Sequence, residues 1–320
     1  MKRAIILALG CALGCLHGSR SEDAPKKPNH DPDAARLVTS DIDLFWKAYD
    51  ASKPGKRVEA LRDEYLSKGS PGLKDFLRKR IRSAENLAEI IEAHPKYYAS
   101  LRESSLKVSN YKDVMRASFR KLKELYQPAV FPDVYFVIGS MNSGGTTSDS
   151  GLLIGVEMHG RTKNTAPEEL DPWLKAVLRP IDDVPRIVAH ELIHYQQKYS
   201  KGNLNLLGKS IAEGSADFVG ELICGGMINE HLHKYGNPRE RELWVEFKRE
   251  MDGRELGNWL FQGDRAKGRP ADLGYYVGYK ICESYYQHAA DKKAAIKDIL
   301  EISDFKTFLK ASGYEGKFDK

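Results

Sequence analysis

The chain has 320 residues, 41% hydrophobic and 30% charged, which is enough apolar material for one large core or two modest ones at roughly 100–200 residues per domain. Its 27 glycines and 14 prolines follow no fixed period, which excludes a collagen-like or wholly disordered chain. No repeat of about 20–50 residues points to a solenoid, and a net charge of +5 spread along the chain gives no reason to expect nucleic acid as a partner.

Lys2 and Arg3 precede an apolar run from Ala4 to Cys15. A basic start and about a dozen apolar residues read as an export signal, too short for a permanent membrane span. Ala-Leu-Gly-Cys occurs twice, ending at Cys11 and at Cys15. Small residues ahead of a cysteine resemble the lipobox of bacterial lipoproteins, where the cysteine is acylated and becomes the mature N-terminus. Cys15 leaves the longer apolar run and is the better of the two. The resemblance implies a signal peptide over 1–14 and a lipid anchor in the cell envelope, with the chain facing the periplasm or the cell surface. Ordinary cleavage would give a secreted or soluble periplasmic protein instead. Residues 15–35 are polar, carry Pro25, Pro28 and Pro32, and read as a flexible tether. Cys224 and Cys282 either pair in an oxidising compartment or stay as buried thiols.

From 36 to 127 the pattern is helical. Leu44-Phe45 and Ala48-Tyr49 recur at helical spacing after the cap candidate Ser40, and Val114, Phe119, Leu122 and Leu125 mark a later amphipathic helix. Pro54-Gly55 and Pro71-Gly72 break the run. These helices are expected to pack on the remainder, with their aromatics in the core. Val134 to Ile138 reads as a strand, 139–151 as a loop, and Leu152 to Glu157 as a second strand. Helices are expected at about 183–200, 209–224, 238–251, 272–288 and 291–311. The fold class is α+β, mostly helical, with a small sheet in the middle and the chemistry in 128–315.

His190-Glu191-Leu192-Ile193-His194 is the most informative segment. It lies in a helical pattern with Asp182 or Asp183 to cap it and Pro185 in the first turn. Four residues turn about 400° on a helix, so His190 and His194 project from one face and can grip one Zn²⁺. Glu191 beside them is placed to take a proton from water that the metal polarises. A third ligand is needed. Glu213 and Asp217 lie one turn apart on the next helix, and the chain between has room for an antiparallel return. Glu213 is favoured as the ligand, with Asp217 accepting the free N–H of His190. Asp217 as ligand is the alternative, and Ser210-x-x-Glu213 also fits a capping box. Gly214 and Ala216 would keep the approach to the metal open.

Two histidines followed by a Glu-x-x-x-Asp helix resemble the gluzincin metallopeptidases, the thermolysin-like group. The likeness is closer to a bacterial family of predicted zinc-dependent proteases, related in outline to gliding-motility lipoproteins. It extends over Phe131 to Gly139, Gly144-Gly145-Thr146-Thr147, Glu213 to Asp217, and Leu273 to Lys280. The resemblance implies a zincin-like core and hydrolysis of peptides or unfolded protein segments. It also implies an edge strand lining the cleft, assigned to 151–157 or else 134–139, with Gly144-Gly145 as a hairpin loop. An oxyanion donor comes from Tyr275, Tyr276 or Tyr279 with His231 or His233, and Tyr276 is the choice. The rival reading is a non-catalytic envelope lipoprotein on the same scaffold, and hydrolysis of non-peptide amides is a third.

Overall fold

The computed structural model describes residues 27–199 and 202–318, so Cys11, Cys15 and the export signal lie outside the described residues. In chain order, β1 (Leu37–Val38) leads into α1 (Ser40–Ala51), α2 (Arg57–Ala60), α3 (Pro71–Phe76), α4 (Ala84–Ala93), α5 (Pro95–Leu106) and α6 (Lys112–Leu125). Three strands follow: β2 (Val134–Val137), β3 (Gly145–Ser148) and β4 (Gly151–Gly155). The rest is helical, with α7 (Pro172–Val177), α8 (Val184–Gln196), α9 (Leu206–Cys224), α10 (Glu230–Gly236) and α11 (Glu240–Glu250), then α12 (Leu273–His288), α13 (Lys292–Leu300) and α14 (Phe305–Ser312).

Local chemistry explains where these elements begin. Pro71 opens α3 rather than interrupting a helix, because Ser70 caps it by accepting from the Leu73 N–H. Asn205 accepts from the Gly208 N–H at 3.0 Å and starts α9 three residues earlier than the periodicity suggests. Ser210 therefore sits inside the helix and caps nothing. The single helix expected at 291–311 is two, since Asp304 caps a fresh start by accepting from the Thr307 N–H.

The sheet order is β1-β2-β4-β3, with β2 parallel to β1 and β4, and β3 antiparallel to β4. This corrects the expected edge. Every residue of β2 and β4 is buried, as suits continuous apolar strands with neighbours on both sides. The edges are the two-residue β1 and β3, and the edge near α8 is β3, the Gly-Thr-Thr-Ser run that reads as a loop in the sequence.

One cluster of buried apolar residues runs from Ala35 to Tyr314. The N-terminal region contributes Tyr65, Tyr97 and Tyr98 to its large buried rings, and two of them also hold the sheet. The Tyr65 hydroxyl donates to the Ile138 carbonyl at 2.8 Å, and the Tyr98 hydroxyl donates to that of Gly139 at 2.6 Å. The segment read as a tether up to residue 35 is docked from Asn29 onward. The Phe131 N–H donates to the Asn29 carbonyl at 2.7 Å, and Arg120 pairs with Asp33. Cys224 and Cys282 are both free thiols.

The closest helix contact is between α9 and α12. A Cβ added at Gly278 would stand 1.7 Å from the Ser210 carbonyl oxygen, and one at Gly214 would stand 2.1 Å from the Tyr279 nitrogen. Gly214 thus serves backbone packing, not the approach to a metal. Gly278→Ala is expected to destabilise the protein by about 3 kcal/mol, the upper end for an overpacked core. Urea unfolding measures it, and an unchanged midpoint would contradict the backbone contact.

Candidate metal centre

The centre is built on two antiparallel helices. As the residue number rises by one turn along α8, its partner falls by one turn along α9: His190 meets Asp217, and His194 meets Glu213. Pro185 sits in the first turn of α8 and Asp183 at its N-cap position, where the Asp183 carboxylate bonds Arg186 rather than the backbone. Both imidazoles turn Nε2 toward one carboxylate oxygen. Glu213 Oε2 lies 3.0 Å from His194 Nε2 and 3.7 Å from His190 Nε2. The rings are 4.6 Å apart and nearly perpendicular, at 85°.

The opposite ring nitrogens are occupied, which fixes the tautomers. His190 Nδ1 donates to Asp217 Oδ1 at 2.8 Å, and Asn229 Nδ2 steadies that carboxylate by donating to Oδ2 at 2.8 Å. His194 Nδ1 stands 2.9 Å from Gln197 Oε1. The Gln197 amide has one possible orientation, because its NH₂ donates to the Ala212 carbonyl at 2.7 Å and a carbonyl can only accept. His194 Nδ1 therefore carries the proton, and both Nε2 lone pairs are left for a cation.

The donor set fits zinc. Ligand atoms about 2.0–2.1 Å from a tetrahedral ion stand about 3.3 Å from each other. The observed 3.0 and 3.7 Å bracket that spacing, and the chosen atoms of His190, His194 and Glu213 all lie within 4.8 Å of one another. Burial alone would push the His190 pKa down, but hydrogen bonds to Asp217 and Glu213 and the charges of Asp217 and Glu191 outweigh it and hold the value at about 10. Burial would likewise raise Glu213, yet the two imidazoles hold it well below the carboxylate range.

A cleft of about 540 Å³ opens beside the centre, with His190 and Glu191 in one wall and Gly144 and Gly145 in another. A Cβ at Gly145 would fall 2.6 Å from Glu191 Oε1, so only glycine lets β3 pass this carboxylate. Gly155 N–H donates to the Gly144 carbonyl, and antiparallel ladders alternate, so the backbone groups of Gly145 point away from β4; its C=O accepts from the Ser143 hydroxyl at 3.0 Å, which leaves the N–H facing the edge. His159 supports this turn, its Nε2 lying 3.3 Å from the Gly144 carbonyl. Burial pushes its pKa down to about 4, so the ring is neutral and donates there.

The structure brings His190, His194, Glu213, Glu191 and Asp217 together but leaves Tyr276 outside. Tyr276 is buried behind the cleft, against His233 at 5.2 Å, and its hydroxyl donates to Asn237 Oδ1 at 3.2 Å. Tyr279 is likewise engaged, donating to Glu221 at 2.6 Å. The tyrosine facing the cleft is Tyr275, stacked near His190 at 6.3 Å. Neighbours on a helix differ by about 100°, so one residue of offset changes the face. Burial, then the charges of Glu213, Asp217 and Asp272, raise the Tyr275 phenol well above its ordinary value, so it stays a donor. His231 also lines the cleft, and His233 does not. Gln197 and Asn229 carried no sequence signal, because a single long-range hydrogen bond leaves no spacing to read.

No curated protein and no solved structure matches this chain. Residues 160–306, which hold the whole cluster from His190 to Tyr275, match the family model described as Predicted Zn-dependent protease (DUF2268).

Proposed function

We propose that this chain is a zinc metallopeptidase of gluzincin type, exported and held at the cell envelope by a lipid on Cys15. The observation that carries the catalytic part is the convergence of two imidazole Nε2 atoms on Glu213, with both Nδ1 atoms already engaged. A zinc ion bound there would supply Lewis acidity, polarising a carbonyl and lowering the pKa of water. His190, His194 and Glu213 would hold the ion, while Asp217 and Gln197 orient the two rings. A peptide in extended form lies along the edge of β3, where the outward N–H of Gly145 can donate to it. Glu191 takes the proton from the attacking water and passes it to the amine nitrogen as the C–N bond breaks. Tyr275 and His231 offer donors to the oxyanion that develops on the former carbonyl. The export reading rests on the Lys2-Arg3 start and the Ala-Leu-Gly-Cys motif. Among the described residues, no helix is long and apolar enough to cross a membrane.

The test is zinc content together with hydrolysis of an unstructured peptide mixture. One zinc per chain and hydrolysis that a chelator abolishes and zinc restores are expected. Bound zinc with no hydrolysis of any peptide would favour the non-catalytic envelope scaffold, and no zinc would remove both the metal and the mechanism.

A further inference from the structure

The cleft contains a guanidinium that the mechanism does not use. Arg179 lines the same cavity as His190 and Glu191 and is half-buried. Its backbone is fixed on both sides, with its N–H donating to the Met158 carbonyl at 2.9 Å and its own carbonyl accepting from Arg161 at 3.0 Å. Its side chain has five N–H donors, yet the contact it makes is a long one, 3.5 Å from Nη2 to His231 Nδ1. Among the described residues, no carboxylate comes within ion-pair distance of it. The two acids near enough to act on its charge, Asp183 and Asp217, are committed to Arg186 and to His190 with Asn229.

The other arginine of the cleft differs. Arg269 pairs with Glu246 at 2.6 Å, donates to the Asn258 carbonyl at 3.1 Å and lies 4.7 Å over the Trp259 ring. It is a structural cation, already satisfied. Arg179 carries a desolvation cost that the charges of Asp183 and Asp217 offset only in part, so burial still lowers its pKa. A planar fork with free donors, held on rigid backbone in an open cleft, matches a carboxylate that arrives with the ligand.

We propose that Arg179 is the specificity residue of this cleft, binding a carboxylate of the peptide near the scissile bond. The carboxylate is either an Asp or Glu side chain or the free C-terminus of the peptide. This rests on the proteolytic reading above.

Binding tests it separately from turnover. Zinc-loaded Glu191→Gln protein is titrated with short synthetic peptides in matched pairs. In one set Glu or Gln is walked through the central positions. In the other a neutral peptide ends in a free carboxylate or an amide. At least one set is expected to show the carboxylate member binding about 10–100-fold tighter, the range for a charge-assisted pair. In the Glu191→Gln/Arg179→Gln protein that ratio should fall to about one, and Arg179→Lys should restore part of it. A preference in the first set identifies the side chain, and in the second the C-terminus. Equal affinities in both sets, a preference that survives Arg179→Gln, or no peptide binding at all would overturn the proposal. Hydrolysis of the neutral amidated peptides by the unsubstituted protein reports on the proteolytic reading by itself.

Discussion

Glu191→Gln is expected to keep its zinc and its fold while kcat/KM on peptides falls by about 10²–10⁴-fold, the range attributed to a positioned general base. Glu191 is one residue from a ligand, and its carboxylate packs against Gly145 in the wall of the cleft. Glutamine has nearly the same shape, so the passage beside Gly145 and the cleft wall are preserved. What is lost is the ability to accept a proton from water. Zinc content, thermal unfolding and initial rates on one peptide together decide the matter. Undiminished rates would remove Glu191 from the chemistry. A fall in zinc that tracks the fall in rate would make it a support for the metal instead.

Glu213→Ala should abolish zinc binding at concentrations that saturate the unsubstituted protein. The carboxylate lies between both imidazoles, and removing it leaves two neutral ligands and no anion for a divalent ion. The readout is the rise in unfolding temperature when zinc is added. A ligand at about 1,000 times its Kd stabilises the native state by about 4 kcal/mol, a gain the unsubstituted protein should show and Glu213→Ala should lack. Asp217→Asn provides the graded comparison. It leaves all three ligands in place and disturbs only the partner of His190 Nδ1, so zinc affinity should drop by about 10–100-fold rather than vanish. If Asp217→Asn were the more damaging of the two, Asp217 and not Glu213 would be the ligand.

How much of this was legible depends on how local each feature is. Two histidines one turn apart declare a shared face before any fold is known, and so do Glu213 and Asp217. Their meeting needed only the antiparallel return of α9 along α8. The edge strand was hidden because Gly145-Thr146-Thr147-Ser148 is polar and glycine-led, and its strand character comes from pairing with β4 rather than from composition. The choice between Tyr275 and Tyr276 depends on which side of α12 faces α9, and that rotation is set only when the two helices pack. Gln197 acts through an amide whose orientation the Ala212 carbonyl decides across a helix interface. Arg179 stands out for partners it lacks among the described residues, and no sequence reports such a lack.

The bare contact of α9 on α12 bears on more than stability. Glu213 and Tyr275 sit on opposite members of that pair, so the gap between the metal pole and the phenol is gauged by two naked main chains. Altering the surrounding side chains leaves this spacing almost untouched. A single methyl group at 214 or 278 would instead act as a shim, prising both groups apart together.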